Sequence, residues 1–245
     1  MAGIKDVVIV SNAEYISSFK NLLADGTHLG INLSYSEQPK SDGIVGALIS
    51  AANLVKDSDA LVILGDNVFF GGGFGATLEG LSTNDTAKIW VKQVGNAKDY
   101  GILSLDPQGR PMSVEEKPKT PKSNLAITGL YYFPKEFVSK LSEVSASARG
   151  EYEITSLIEG YLSEESLEVK NLRRGTAWFD AGTSDRLFMT SDFVRIIQER
   201  TGQIVGSPEE VTFRQGNISI DELKSLIHRM PTSTYKTSLT EMMDF

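Results

Sequence analysis

Residues 60–67 read ALVILGDN, five apolar residues followed by a glycine, an aspartate and an asparagine. A continuous apolar run of this length is typical of a central strand that is covered on both faces. In open α/β sheets, ligands bind at the carboxyl ends of strands, so Asp66 stands where chemistry is expected. A carboxylate there could bind a hard cation such as Mg²⁺, or it could simply cap a turn.

The stretches on either side of this run alternate between strand and helix patterns. Residues 5–10 and 31–35 are short β-type runs, whereas residues 13–23 and 44–55 carry apolar side chains at helical spacing. The first helix should present Ile16, Phe19, Leu22 and Leu23 on one face and be capped by Ser11 or Asn12. Strands that alternate with amphipathic helices predict parallel pairing in a layered α/β fold.

Past Gly75 the pattern changes to several strands with few helices between them. The predicted strands are residues 89–94, 101–105, 112–115 and 129–133, and the segment DPQG at 106–109 predicts a hairpin turn between two of them. Helices are predicted around residues 154–162 and 187–200, and capping-box patterns begin at Ser207 and Ser219. We therefore expect a core domain over residues 1–192 and a helical extension over residues 193–245.

Composition excludes several classes of protein. Lys and Arg number 24 against 32 Asp and Glu, a net charge of −8, which argues against a nucleic-acid partner. There is no cysteine and there are two histidines, which excludes thiol chemistry and disfavours a zinc site. The apolar runs of about five residues are too short to span a membrane, and we see no signal peptide. We expect a cytoplasmic protein without a membrane partner.

A second carboxylate occurs in the segment WFDAGT at 178–183, again after an apolar pair and before a predicted helix. Asp180 or Thr183 could serve only as a helix cap. The more specific hypothesis is that Asp66 and Asp180 converge and hold one cation, since Mg²⁺ sites combine one or two carboxylates with phosphate oxygens. The segment EEKPK at 115–119 could be a solvated strand end, or its Glu and Lys could bind sugar hydroxyls and a phosphate.

Seven short motifs occur together in one order. They are EQP with DG (37–39, 42–43), LGDNVFF (64–70), YG (100–101), EEKPK (115–119), TGLY (128–131), RGEYEIT (149–155) and WFDAGT (178–183). In this combination the chain resembles the sugar nucleotidyltransferases of the glucose-1-phosphate thymidylyltransferase type, from about Gly3 to near its C-terminus.

The resemblance implies an α/β fold with a Rossmann-like mixed sheet, added sugar-binding strands and a small C-terminal helical appendage. It implies that dTTP and glucose 1-phosphate are joined to give dTDP-glucose and pyrophosphate, a step of dTDP-rhamnose biosynthesis, by a homotetramer or homodimer. Gln38 and Gly43 would then read the base, while Asp66 and Asp180 would hold Mg²⁺, with Asp66 beside the nucleotide. The sugar phosphate would be bound by Tyr100, Gly101, Glu116, Lys117, Ile127, Glu153 and Trp178. Asp66, Lys117 and Asp180 would be the catalytic residues.

The sequence departs from the family pattern in one respect. Members of the family carry a glycine-rich loop of the form GGxGTRLxPxT, which wraps the triphosphate, and no such segment occurs in these 245 residues. We therefore expect little turnover by the chain as written and an unpaired gap in its sheet. Two alternatives stay open, a non-catalytic sugar-nucleotide-binding or subunit-interaction homologue and a uridylyl- or guanylyltransferase of the same fold.

Overall fold

The computed structural model describes residues 3–78, 80–81 and 85–243. Its strands are β1 (Asp6–Asn12), β2 (Asn32–Gln38), β3 (Ala60–Ile63), β4 (Asn67–Phe70), β5 (Ala87–Gln93), β6 (Gly101–Leu105), β7 (Pro111–Glu116), β8 (Leu125–Phe133), β9 (Leu167–Asn171) and β10 (Ala177–Asp180). Its α-helices are α1 (Ala13–Leu23), α2 (Ile44–Val55), α3 (Phe137–Lys140), α4 (Ile154–Ser163), α5 (Ser184–Thr201), α6 (Pro208–Arg214), α7 (Ile220–Arg229) and α8 (Thr234–Met242).

β1 and β2 form a parallel pair, as the alternating pattern predicts. The prediction for α1 is wrong in two details. Ile16 is buried, but Leu22 is 75% exposed and Phe19 is 38% exposed, because the described chain places nothing over that end of the helix. Asn12 is the N-cap residue, yet its side chain makes no capping hydrogen bond.

The main sheet is mixed and is built around β8, whose residues from Ala126 onward are buried. β5 pairs along one edge of β8, and β6 and β3 share the other edge, where they pair with its first and last residues. The β6–β7 hairpin turns at residues 106–109, which confirms the turn prediction. Ile127 and Gly129 of β8, which lie between these two pairings, line a cavity.

The prediction that residues 60–64 form a central strand is wrong, and the predicted cover on both faces is present only in part. β3 pairs antiparallel with β8, and among the described residues it has no second strand partner. Ile63, the last residue of this strand, is 56% exposed. The apolar run reflects partial packing on both faces. Val62 and Leu64 contact the core formed by α2, α4 and the sheet, whereas Leu61 packs against the second cluster around Trp90.

β4 and β10 form a separate antiparallel pair in which Asp180 stands opposite Asn67. This pairing joins the ends of the LGDN and WFDAGT segments, which are distant in sequence. Thr183 is the N-cap of α5, and its hydroxyl accepts a hydrogen bond from the backbone of Arg186.

The C-terminal helices α6–α8 enclose a small core of their own, formed by Ile218, Leu223, Ile227 and Leu239. The predicted capping box is complete at Ser219, whereas at Ser207 the side-chain half alone is formed. α5 runs continuously through residues 192 and 193, so the predicted domain boundary falls within a helix and stays a prediction. None of the described helices is long and apolar enough to cross a membrane.

Candidate active site

A cavity of about 730 Å³ is lined by Ile127, Gly129 and Tyr131 of β8. Its wall combines the ends of β3, β7 and β10 with the starts of β4, β6, α4 and α5. Eight of the predicted site residues line it, and they are Asp66, Tyr100, Gly101, Glu116, Lys117, Ile127, Trp178 and Asp180. The fold thus brings together residues that the sequence spreads over more than a hundred positions.

The two predicted metal-binding carboxylates converge at one end of the cavity. A Cβ atom placed on Gly182 would lie 2.9 Å from Oδ1 of Asp180 and 3.1 Å from Oδ2 of Asp66. Both oxygens therefore face the same small space, which the absent side chain of Gly182 leaves open. The backbone keeps them there, because the Gly182 amide donates to Oδ1 of Asp180 at 2.8 Å and the Ala181 amide donates to the Asp66 carbonyl.

This donor set fits a magnesium ion. Mg²⁺ prefers oxygen ligands and in phosphate-handling sites takes one or two carboxylates, leaving its other positions to water and substrate oxygens. Among the described residues no group of three or more His, Cys, Asp or Glu side chains could hold a metal. Asp66 and Asp180 are thus the two carboxylates of the cavity that such an ion could use.

Asn67 organises this end of the cavity, and the sequence analysis did not select it. Its Nδ2 donates to Oδ1 of Asp66 at 2.7 Å, and its Oδ1 accepts from the indole of Trp178 at 2.6 Å and from the Gly129 amide at 3.2 Å. A Cβ atom on Gly129 would lie 2.6 Å from Cγ of Asn67, so glycine allows this contact. The Leu-Gly-Asp-Asn segment already contained the residue, and its amide could have been suspected.

Arg186 is a second residue of the site that no motif in the sequence indicated. Its guanidinium reaches back over the cavity and pairs with Asp180 and with Asp99, each at 2.6 Å. It also lies over the ring of Tyr100, with 5.1 Å between the guanidinium carbon and the ring centroid. Tyr100 in turn packs against Trp178, and burial raises the pKa of its hydroxyl.

Glu116 and Lys117 stand at the other end of the cavity, where β7 ends opposite Gly101. The Lys117 amide donates to the Tyr100 carbonyl at 3.0 Å, and Lys117 has φ of +41°, a left-handed conformation that is strained for a side chain of this kind. Strain of this type concentrates at functional sites. Its charge acts on the neighbouring Glu116 carboxyl, whose pKa it lowers against the larger effect of burial.

Burial, followed by the neighbouring charge of Glu153, raises the pKa of the Glu116 carboxyl. Glu153 is itself buried and is not among the residues that line the cavity, so the role implied for it beside the sugar stays a prediction. Its Oε1 accepts hydrogen bonds from Ser147 at 2.8 Å and from Arg149 at 2.9 Å. Arg149 also approaches Glu116 at 3.6 Å, so it links Glu153 to the Glu116 end of the cavity.

Gln38 and Gly43 do not line the cavity, although Ile44, the residue after them, does. The Gln38 amide donates to Asp42 at 2.9 Å and to the Gly43 carbonyl at 3.0 Å, which closes the loop between β2 and α2. Gly43 has φ of +100°, and a Cβ atom there would lie 2.5 Å from the Tyr152 carbonyl oxygen. This loop therefore forms a tight border next to the cavity.

Residues 1–195 match the family model described as Nucleotidyl transferase. The chain belongs to the nucleotidyl transferase family. The resemblance inferred from the seven motifs is thereby confirmed, as is membership of a family of enzymes.

Named relatives of this nucleotidyl transferase include glucose-1-phosphate thymidylyltransferases of Mycolicibacterium smegmatis and Neisseria meningitidis. They are 39% and 35% identical to the chain, respectively. The matches span 100% and 99% of this chain and 85% of each relative. A Bacillus anthracis structure, described as that of a glucose-1-phosphate thymidylyltransferase in complex with sucrose, matches with a TM-score of 0.70 and 30% identity. The match spans 78% of this chain and 76% of that chain. It confirms the predicted α/β fold class.

A structure of UDP-glucose pyrophosphorylase complexed with UDP-glucose matches with a TM-score of 0.66 at 18% identity, over 78% of this chain and 81% of that chain. At this identity the likeness concerns the fold alone.

Proposed function

We propose that this protein transfers a thymidylyl group from dTTP to glucose 1-phosphate, giving dTDP-glucose and pyrophosphate. One observation carries the proposal: a single cavity has two converging carboxylates, Asp66 and Asp180, at one end and the Glu116–Lys117 strand end at the other. A reaction that joins a nucleotide phosphate to a sugar phosphate requires these two kinds of subsite side by side. The names of the relatives support this choice of substrates.

The reaction needs no strong base. A phosphate oxygen of glucose 1-phosphate, already anionic at neutral pH, forms a bond to the α-phosphorus of dTTP. The bond from that phosphorus to the oxygen bridging to the β-phosphate breaks, and the electron pair leaves with pyrophosphate. Catalysis therefore depends on aligning two anions and on neutralising charge around the phosphorus.

The chain's own groups supply parts of this. Lys117 holds the attacking phosphate through its ammonium group, and the carboxylate of Glu116 accepts hydrogen bonds from the sugar hydroxyls. Asp66 and Asp180 hold Mg²⁺, which when bound neutralises phosphate charge and orients the nucleotide. In this proposal Asp66, Lys117 and Asp180 are the catalytic residues.

The remaining proposed roles concern recognition. Tyr100, Gly101, Ile127 and Trp178 form the wall against which the sugar phosphate packs. Glu153 acts from behind Glu116 through Arg149, because its own carboxylate is buried and already hydrogen-bonded.

The loop of Gln38 and Gly43 reads the base from the border of the cavity. Its internal hydrogen bonds support this role, because they hold the loop in one conformation.

Two further proposals concern the cellular location and the assembly of the protein. We propose that the protein works in the cytoplasm, where nucleoside triphosphates and sugar phosphates are found, and that it assembles as a homodimer or homotetramer. Large side chains exposed along α5, namely Leu187, Phe188 and Met189, support the second proposal, because contiguous apolar surface commonly marks a subunit contact.

The experiment combines calorimetric binding with pyrophosphate release. The purified protein is expected to bind glucose 1-phosphate, dTTP and dTDP-glucose, and Asp66→Asn and Asp180→Asn are expected to abolish magnesium-dependent binding of dTTP. Asp57→Asn is the matched control, because Asp57 is exposed and lies outside the cavity. Binding of none of these ligands, or equal binding by the three variants, would overturn the proposal.

The choice of base is tested in the same titrations by substituting UTP and GTP for dTTP. Tighter binding of UTP or GTP would assign the protein to the uridylyl or guanylyl alternative instead. Binding without any pyrophosphate release would favour the non-catalytic homologue.

A further inference from the structure

Arg186 stands at a position where it can compete with a metal ion. It lies in the first turn of α5, six residues beyond Asp180, and its side chain is 27% exposed. Its Nη1 pairs with Oδ2 of Asp180 and its Nη2 with Oδ2 of Asp99. A guanidinium between two carboxylates is a planar, permanently charged counterion.

The two oxygens of Asp180 are thus divided between two functions. Oδ2 is taken by Arg186, while Oδ1 accepts from the Gly182 amide and faces the Asp66 carboxylate. Any cation bound between Asp66 and Asp180 would share the Asp180 carboxylate with the guanidinium. Two positive charges on one carboxylate repel each other, and the repulsion is appreciable because the site is partly shielded from water.

The charged side chains that line the cavity show at which end this repulsion between Arg186 and a bound cation matters. The acidic groups are Asp66, Asp99, Glu116, Asp180 and Asp185, and the basic groups are Lys117 and Arg186. Lys117 stands at the Glu116 end, so in the described structure Arg186 is the cation that balances the aspartate end. Without it, two carboxylates would face each other across a narrow space with no counterion from the protein.

We propose that Arg186 lowers the affinity of the Asp66–Asp180 pair for a free divalent cation. The metal is then bound stably only together with an anionic phosphate ligand. The inference rests on the proposed function, because it takes Asp66 and Asp180 as the metal ligands. The oxygens of the phosphate ligand supply negative charge, which compensates for the carboxylate charge that the guanidinium neutralises. The site therefore distinguishes a metal–nucleotide complex from the bare ion.

A purely structural role would give a different result. The two ion pairs of Arg186 join α5 to Asp180 and to the loop of Asp99. If their role were only structural, removing them would change the stability of the fold without changing metal affinity. The readout must therefore be metal binding in the absence of nucleotide.

The test measures Mn²⁺ binding, by electron paramagnetic resonance of the free ion, to the full chain without nucleotide. Arg186→Gln is expected to bind Mn²⁺ about tenfold more tightly than the wild type, since it removes one positive charge beside the ion. Arg186→Lys keeps the charge and is expected to stay within about twofold of the wild type. Arg195→Gln is the matched control, because Arg195 lies on the same helix and pairs only with Asp192 and Glu199 among the described residues.

Asp99→Asn provides a second variant that leaves Arg186 in place. It removes one negative charge and leaves the guanidinium to Asp180 alone, so Mn²⁺ is expected to bind more weakly than to the wild type. This measurement decides the question if Arg186→Gln does not fold.

The failures are distinguishable. If Asp66→Asn and Asp180→Asn weaken Mn²⁺ binding but Arg186→Gln leaves it unchanged or weaker, the present inference is overturned and the proposed metal site stands. If Asp66→Asn and Asp180→Asn leave Mn²⁺ binding as in the wild type, the metal site and the inference both fail.

Discussion

The side-chain oxygen of Asn67 accepts a hydrogen bond of 2.6 Å from the indole nitrogen of Trp178, which lies 111 residues further along the chain. This bond crosses the β4–β10 pair and connects the aspartate end of the cavity to the wall formed by Trp178 and Tyr100. Through its amide nitrogen the same asparagine holds Oδ1 of Asp66. One side chain therefore sets the positions of a proposed metal ligand and of a proposed sugar contact.

Asn67→Ala is expected to lower the free energy of unfolding by about 1–3 kcal/mol, because it leaves the Trp178 indole without its partner in a half-buried position. Urea denaturation measures this, and the emission spectrum of the folded variant is expected to shift as Trp178 changes its surroundings. Asn53→Ala is the control, since Asn53 is exposed on α2. A variant as stable as the control would show that the Asn67 bonds are dispensable.

The sequence allowed the convergence of Asp66 and Asp180 to be anticipated, because each follows an apolar run and strand ends gather at one edge of a sheet. The hairpin at residues 106–109 could also be predicted, because turn chemistry is local. The role of Arg186 could not be predicted. Its partner Asp99 is 87 residues away, and helical periodicity does not specify where a long side chain on the first turn will reach.

The exposure of β3 could not be predicted either. An apolar run specifies that a strand is buried, but it does not specify which strands lie on its two sides. β3 finds its partner in β8 through pairing across some seventy residues, from Ala60 to Phe133. Long-range pairing of this kind depends on the whole chain, which is why Ile63 was expected inside the core and is found exposed.

Lys117→Met is expected to weaken binding of glucose 1-phosphate by about tenfold or more while leaving dTTP affinity within about twofold, because a charge-assisted hydrogen bond to phosphate contributes about 1.5–3 kcal/mol. Calorimetric titration with each ligand checks this. Lys119→Met is the matched control, since Lys119 is exposed on the same segment and does not line the cavity. Equal losses for the sugar phosphate and the nucleotide would contradict the assignment of Lys117 to the sugar phosphate.

Glu116→Gln is expected to raise the free energy of unfolding near neutral pH. Burial raises the pKa of Glu116 above its ordinary value of 4.5, so the folded state favours the protonated form. The stability that comes from protonation is fully present below the ordinary pKa and is lost as the pH rises through the raised value. The neutral variant avoids that loss, and the two proteins should converge in stability at pH values below 4.5.

Thermal unfolding followed across this pH range tests the expectation for Glu116. Glu115→Gln is the comparison, because Glu115 pairs with Lys122 at 2.6 Å and its replacement should bring no gain in stability. The Glu116 variant should also bind glucose 1-phosphate more weakly, because an amide accepts fewer hydrogen bonds from sugar hydroxyls than a carboxylate does. A Glu116 variant that is less stable than the wild type at neutral pH would refute the argument from burial.

Gly182→Ala is expected to weaken Mn²⁺ binding at least tenfold, because its methyl group would stand 2.9 Å from Oδ1 of Asp180 and 3.1 Å from Oδ2 of Asp66. Such contacts force the carboxylates apart and fill the space that a cation would occupy. Gly65→Ala is the matched control, because a Cβ atom there meets nothing within 4 Å although Gly65 directly precedes Asp66. Arg186→Gln is expected to tighten Mn²⁺ binding by removing charge, and Gly182→Ala to weaken it by removing space. If both variants weakened Mn²⁺ binding, any change at the aspartate end of the cavity would weaken it. The opposite effects expected from the charge of Arg186 and from the space at Gly182 would then be wrong.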